Sequence, residues 1–99
     1  MRPYLGVAYR MISRELSVLN EVPEGAYVQQ VIDDSSAAKA GIEVGDIITR
    51  FDGKKIDQGN GGLAEVIGKK KVGDTVTITV WRDGKTIELK AKLETAPDQ

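Results

Sequence analysis

Short runs in which apolar and polar residues alternate dominate the chain. The first run, residues 4–10, divides into two faces: Leu5, Val7 and Tyr9 against Gly6, Ala8 and Arg10. Such alternation is typical of a strand. The same signal predicts strands at 26–32, 47–51, 75–81 and 87–93. Asp-Gly pairs at 52–53 and 83–84 predict tight hairpin turns. The pattern therefore predicts short strands joined by tight turns.

Three further segments carry helical spacing or helix-capping residues. The predicted helices span 13–20, 37–40 and 63–70. Ser13 can act as N-cap of the first helix, and Gly41 closes the second. Leu63, Val66 and Ile67 share one side of the third, which follows a glycine-rich loop at 59–62. Together these elements predict an α+β fold, a partly open β-barrel or sandwich of five to six short strands with two to three short helices.

The composition sets the scale of the molecule. The 99 residues, 40% of them hydrophobic, suffice for one domain with a modest core. We assign the domain to residues 1–95 and a flexible tail to 96–99. A net charge of -1 gives no reason to expect nucleic acid or an anionic membrane as partner. No apolar run approaches the about 20 residues that a bilayer span needs.

The absence of histidine and cysteine excludes several chemistries. It removes Ser-His-Asp and Cys-His nucleophiles, disulfides and the usual imidazole zinc ligands. The glycine-rich loop lacks the Gly-Lys-Ser/Thr of a phosphate-binding loop. Asp33 and Asp34 lack further carboxylates at calcium-loop spacing. We therefore expect no metal, no cofactor and no catalytic activity, and an enzyme is the least favoured class.

The segment Leu5-Gly6-Val7 is the most informative part of the chain. A glycine between two apolar residues at the head of a strand can aim successive backbone N–H groups into one small space. A strand edge continues directly from it. Both features suit the capture of a peptide's C-terminal carboxylate with strand addition. In the alternative interpretation, Leu5, Val7 and Tyr9 are ordinary core residues of the strand, and Leu63, Val66 and Ile67 are core residues of the helix.

Several segments along the chain together match the motifs of one protein family. They are Arg2-Pro3-Tyr4-Leu5-Gly6-Val7, Gly25-Ala26-Tyr27-Val28, the run from Ser36 to Ile48, Gly73-Asp74-Thr75-Val76 and the run from Val80 to Lys85. The most specific piece is Ala40-Gly41, followed after three residues by Gly45-Asp46-Ile47-Ile48. On these motifs nearly the whole chain resembles the PDZ domain of the bacterial HtrA (Deg-type) serine proteases.

The resemblance implies a set of binding residues. The backbone amides of Leu5, Gly6 and Val7 would receive the peptide carboxylate. The strand residues Val7, Ala8, Tyr9 and Arg10 would pair with the peptide, and the helix residues Leu63, Ala64, Val66 and Ile67 would form the other wall. Residues 87–93 would supply the edge strand that closes the domain. One departure is the missing histidine at the helix start, where Asn60 or Gly61 lies instead.

The implied function is recognition of hydrophobic C-termini, as the substrate-recognition or regulatory domain of an HtrA-type protease. The alternative is a non-protease scaffold or secretion-type PDZ module that binds a fixed protein partner. We also expect an extracytoplasmic location, excision from a longer bacterial protein, and self-association through the groove or a strand edge. Leu5, Val7, Leu63 and Ile67 are expected to form apolar walls, and Arg2 to attract the carboxylate.

Overall fold

The computed structural model describes residues 3–56 and 62–95 of the chain. The strands in this part are β1 (Pro3–Tyr4), β2 (Val7–Ile12), β3 (Gly25–Val31), β4 (Ile47–Phe51), β5 (Lys54–Lys55), β6 (Thr75–Arg82), β7 (Lys85–Lys92) and β8 (Glu94–Thr95). The helices are α1 (Arg14–Asn20), α2 (Ser36–Ala40) and α3 (Gly62–Gly68). This mixture of sheet and short helices confirms the predicted α+β class.

The longer strands form one antiparallel sheet in the order β2-β3-β4-β6-β7, and β5 pairs with β4. β1 and β8 form a separate antiparallel pair, in which Pro3 lies opposite Thr95 and Tyr4 opposite Glu94. Because β2 ends the strand order, its outer side carries no other strand within the described residues.

Alternating side chains build the core. β6 buries Val76, Ile78 and Val80 and leaves the threonines between them more exposed, as the sequence predicts. β7 places Ala91 in the core, with Ile87 and Leu89 packed against it. The fully buried centre also includes Val28, Ile48, Phe51, Ile56, Leu63 and Leu93. Burial of each such side chain stabilises the fold by about 1.5–3 kcal/mol before the entropy of ordering is subtracted.

Side-chain caps begin the first two helices. The N–H of Leu16 donates to Ser13 Oγ over 3.2 Å, which confirms Ser13 as the N-cap of α1. The N–H of Ala38 donates to Ser35 Oγ over the same 3.2 Å, and Gly41 closes α2 as predicted. Each cap satisfies an amide that would otherwise lack a partner in the first helical turn.

One prediction about the strands is wrong in detail. Residues 4–10 are not one strand, because the chain turns at Leu5 and Gly6 and β2 begins only at Val7. The predicted edge strand at 87–93 corresponds to β7, which ends the sheet opposite β2, and β8 adds a two-residue pair with β1 beside the turn. The strand count exceeds the predicted five to six because β1, β5 and β8 are only two residues long. The predicted loop at 59–62 is described only at Gly62, and the predicted tail at 96–99 lies outside the described residues.

Candidate functional site

The turn between β1 and β2 is held by its carbonyl groups. Leu5 C=O accepts a hydrogen bond from the N–H of Ala37 in α2, at 2.8 Å, and Gly6 C=O accepts one from the N–H of Ile32, at 2.9 Å. In a trans peptide the C=O and the following N–H point in opposite directions. The N–H of Gly6 therefore points away from α2, and the N–H of Val7 points away from β3. Within the described residues, the N–H of Gly6 donates to no other residue. The N–H groups of Gly6 and Val7 are the two amides of this turn.

The turn takes this shape because residue 6 is glycine. Gly6 has φ of +93°, a left-handed conformation that side chains disfavour. A Cβ added there would lie 2.2 Å from Ser35 Cβ, well inside van der Waals contact. Ser35 in turn caps α2. The backbone of the turn thus rests directly on the start of α2, which fixes the direction of both amides.

The outer side of β2 continues from these amides. Val7 lies opposite Val31 in the β2–β3 ladder, next to the hydrogen bond between Ile32 and Gly6. Hydrogen-bonded and non-hydrogen-bonded pairs alternate along an antiparallel ladder, so the backbone groups of Val7 face the open side. An extended segment can therefore pair with β2 directly beside the two amides.

Helix α3 forms the opposite wall. At its start, a Cβ on Gly62 would lie 3.3 Å from Met11 Sδ, near the far end of β2. Its last residues, Ile67 and Gly68, line the same cavity as Gly6 at the head of β2. α3 therefore runs antiparallel to β2, and the two elements enclose a groove.

The groove holds an open cavity of about 490 Å³. Its lining consists of Pro3, Tyr4, Leu5, Gly6, Val7, Tyr9, Glu65, Ile67, Gly68 and Lys69. This volume suits one apolar side chain together with a carboxylate at the amides, as the size of small-ligand sites indicates. The two amides lie at one end of the groove, and the β2 edge leads away from them.

The predicted site residues divide between groove and core. Val7, Tyr9 and Ile67 line the cavity. Leu5 also lines the cavity, although its side chain is only 2% exposed. The side chains of Leu63 and Val66 are 0% and 4% exposed and lie outside the cavity lining, so they belong to the core, and the expectation of an apolar wall from Leu63 is wrong. Leu5 contributes its backbone to the turn.

Two predicted residues lie elsewhere. Ala8 and Arg10 are exposed and are not part of the cavity lining, because strand alternation turns them to the other face of β2. Arg10 lines a second hollow of about 370 Å³ beside α1. Ala64 lies in α3, one residue before the groove-lining Glu65.

The cavity lining also includes five residues that were not predicted from the sequence: Pro3, Tyr4, Glu65, Gly68 and Lys69. For α3, the sequence did contain a signal for the residues that line the groove. Leu63, Val66 and Ile67 mark the buried stripe, and the neighbouring stripe at Glu65 and Lys69 is spaced by one turn. Residues at this spacing lie at the margin of the buried stripe, where a groove beside the helix must be.

A cluster of charged side chains away from the groove stabilises the fold. Arg82 donates from Nε to Asp46 Oδ1 at 2.8 Å and from Nη2 to Asp46 Oδ2 at 2.7 Å. Asp46 is 1% exposed and also accepts from the N–H of Glu43 at 3.0 Å. The hydrogen bond to Asp46 raises the pKa of Arg82 further above its ordinary value, while burial opposes that rise. The pair ties the turn before β4 to the β6–β7 hairpin.

The described residues also bear on two other kinds of function. They hold no group of three or more His, Cys, Asp and Glu side chains arranged to bind a metal ion. None of the helices described is long and apolar enough to cross a membrane.

The family model of the PDZ domain matches residues 3–93. The chain belongs to the PDZ domain family. PDZ domains bind peptides and are not themselves catalytic.

The curated relatives are bacterial proteases. The Serine protease Do-like HtrA of Lactobacillus helveticus is 40% identical over 94% of this chain, and the match covers 24% of that protein. The Periplasmic serine endoprotease DegP of Escherichia coli K12 is 38% identical over 94% of this chain and 20% of that protein. The chain thus corresponds to one segment, under a quarter of the length, of these HtrA-type proteases.

Solved structures agree with this assignment. The HtrA-type protease AlgW with decapeptide superposes with a TM-score of 0.82 at 26% identity, over 99% of this chain and 30% of that chain. The HtrA3 PDZ domain bound to a phage-derived ligand, FGRWV, gives a TM-score of 0.76 at 26% identity, over 94% and 86%. The predicted fold and family are confirmed.

Proposed function

We propose that this domain captures the C-terminus of a protein chain whose last residue is apolar. The terminal carboxylate accepts hydrogen bonds from the amides of Gly6 and Val7, the peptide adds to β2 as a strand, and its last side chain enters the cavity. The observation that carries the proposal is the turn itself. Its carbonyls accept hydrogen bonds from Ala37 and Ile32. The following amides point the opposite way across each trans peptide, which supports their use by a carboxylate.

The energies are consistent with a reversible interaction. Each main-chain hydrogen bond contributes about 1 kcal/mol net. Burial of a Val- or Leu-sized side chain adds about 1.5–3 kcal/mol. Ordering the peptide offsets part of this gain. We therefore expect a Kd on the micromolar scale, which corresponds to a binding free energy of about −8 kcal/mol.

The similar structures support binding of a peptide with an apolar last residue. The ligand named for the HtrA3 PDZ domain ends in valine, an apolar residue, and the AlgW structure contains a decapeptide. We further propose that this domain is the substrate-recognition segment of an HtrA-type protease that works outside the cytoplasm. The DegP relative is periplasmic by name. A Gly-x-Ser-x-Gly segment upstream in the complete protein is expected on this proposal, whereas a scaffold or secretion protein would lack it.

The proposal is tested by titrating short fluorescent peptides into the isolated domain and following anisotropy. Peptides ending in Val, Leu or Phe should bind with micromolar Kd. The same peptides with an amidated C-terminus should bind at least about tenfold more weakly, because the two amides lose their anionic acceptor. Peptides ending in Asp or Lys serve as controls and should bind weakly. Equal binding of the free and amidated forms would refute carboxylate capture.

A further inference from the structure

The groove contains two charged side chains of opposite sign. Glu65 and Lys69 are the charged residues in the cavity lining; Pro3, Tyr4, Leu5, Gly6, Val7, Tyr9, Ile67 and Gly68 complete it. Both charged residues are exposed, and neither makes an ion pair within the described part of the chain. Lys70, the next residue along, is paired with Asp52 on the outside of the groove. The charges of Glu65 and Lys69 are therefore available to a ligand.

The order of the two charges along the groove is set by the direction of α3. The helix starts beside Met11 and ends beside the turn at Gly6. Lys69, just after the end of α3, thus lies toward the amides that would hold the carboxylate. Glu65 lies one turn back, about 6 Å toward the far end of β2 by helix rise. The wall presents positive charge near the ligand's end and negative charge upstream.

The spacing between Glu65 and Lys69 matches the spacing between the last and the third-from-last residue of the ligand. A peptide that pairs antiparallel to β2 extends from the turn toward Met11 and rises about 3.3 Å per residue. Two residues upstream of the terminus is therefore about 6.6 Å, which matches the separation of the charges. Alternate side chains of a strand point to the same face, so the third-from-last side chain points toward α3 together with the last one. The side chain between them points away.

We infer that Glu65 is a specificity-determining residue that selects a lysine or arginine at the third position from the peptide C-terminus. This inference rests on the proposed carboxylate capture, which fixes where the ligand ends. A cation at that position meets the Glu65 carboxylate, while Lys69 favours the terminal carboxylate. An acidic residue at the same position meets Glu65 as a like charge and is disfavoured. The ligand class is an apolar C-terminus preceded, after one residue, by a basic side chain.

The test uses three peptides with the same terminal valine and the same sequence except for Lys, Gln or Glu at the third-from-last position. Their Kd values are measured on the wild-type domain and on Glu65→Gln, Glu65→Lys and Glu88→Gln. Glu88 is an exposed residue on β7 outside the cavity lining, so Glu88→Gln makes the same change of net charge away from the groove. All of these positions are exposed, and circular dichroism checks that each variant is folded.

Wild type should bind the Lys peptide about two- to fivefold more tightly than the Gln peptide, and the Glu peptide more weakly by a similar factor, as for partly exposed ion pairs. The preference should shrink in high salt. Glu65→Gln should abolish it, Glu65→Lys should reverse the order, and Glu88→Gln should keep it. A preference that survives Glu65→Gln, or no preference among peptides that bind through their carboxylate, overturns the inference alone. Binding that ignores amidation overturns the proposed function as well.

Discussion

At the scale of single residues, Gly6 decides whether the groove exists. The left-handed turn and the contact with Ser35 leave no room for a side chain at this position. The sequence indicated this role, since a glycine within a strand-like run marks a bend or close backbone approach. It could not indicate that Leu5 turns inward, because an apolar residue beside such a glycine suits a groove wall and a core equally well.

Gly6→Ala should destabilise the fold and abolish peptide binding. The left-handed φ costs about 1–2 kcal/mol for an L-residue, and displacing Ser35 from the 2.2 Å contact adds to this. Urea denaturation and peptide anisotropy measure the two effects. Gly45→Ala is the matched control, since Gly45 has φ of +96° and nothing within 4 Å of the added Cβ. It should cost only about 1–2 kcal/mol and leave the Kd unchanged. Equal losses in both variants would show that the contact with Ser35 is unimportant.

At the scale of elements, the sequence predicted the buried stripe of α3 but not the side of the helix that faces the groove. The apolar spacing of Leu63, Val66 and Ile67 predicted the helix correctly, but it identifies the stripe that faces the core. Which flank of that stripe faces β2 depends on how the helix packs in three dimensions. Glu65 and Lys69 could therefore be recognised as groove residues only once the helix and β2 were seen together.

The β1–β8 pair is expected to support the turn at Leu5 and Gly6. Ending the chain after Leu93 removes β8 and the exposed ion pair between Glu94 and Lys39. We expect a loss of about 1–2 kcal/mol in stability, since main-chain hydrogen bonds contribute about 1 kcal/mol each, and a several-fold weaker peptide Kd. Ending the chain after Thr95 is the control and tests the domain boundary. It should behave as the full chain in thermal unfolding and in peptide titration; a loss there would place residues 96–99 within the domain.

The contact between Asp46 and Arg82 joins two further elements. Asp46→Asn should lower the free energy of unfolding by about 2–3 kcal/mol, because it removes the buried carboxylate that Nε and Nη2 of Arg82 share and leaves the exposed Glu43 as its anionic partner. The figure lies below that of a fully buried pair, since the Arg82 side chain is 25% exposed. Denaturant unfolding measures it. Lys39→Gln removes an exposed pair instead, with side chains 61% and 43% exposed, and should change stability by less than about 0.5 kcal/mol. If both variants lose the same amount, the pair at Asp46 has no special weight.

At the scale of the whole molecule, the sequence predicted the class of fold, the longer strands and the three helices of the described residues. Local signals sufficed, since alternation, Asp-Gly turns, the cap at Ser13 and the closing Gly41 each act within a few residues. The pairing of β1 with β8 joins residues ninety or more positions apart in the chain, and two-residue strands carry too little pattern to be seen.

The β1–β8 pair also brings Pro3 and Thr95 side by side, at the distance of neighbouring strands, about 5 Å. A host protein could therefore carry this domain as an insertion in a surface loop without being stretched, as is common for domains whose ends meet. Since Pro3 and Tyr4 also line the cavity, the junction with the host would lie beside the cleft. A fluorophore attached at that junction, or a fluorescent protein used as the host, would lie close enough to the cleft to respond when a peptide occupies it. The fold is therefore a practical starting point for a genetically encoded reporter of free chain ends.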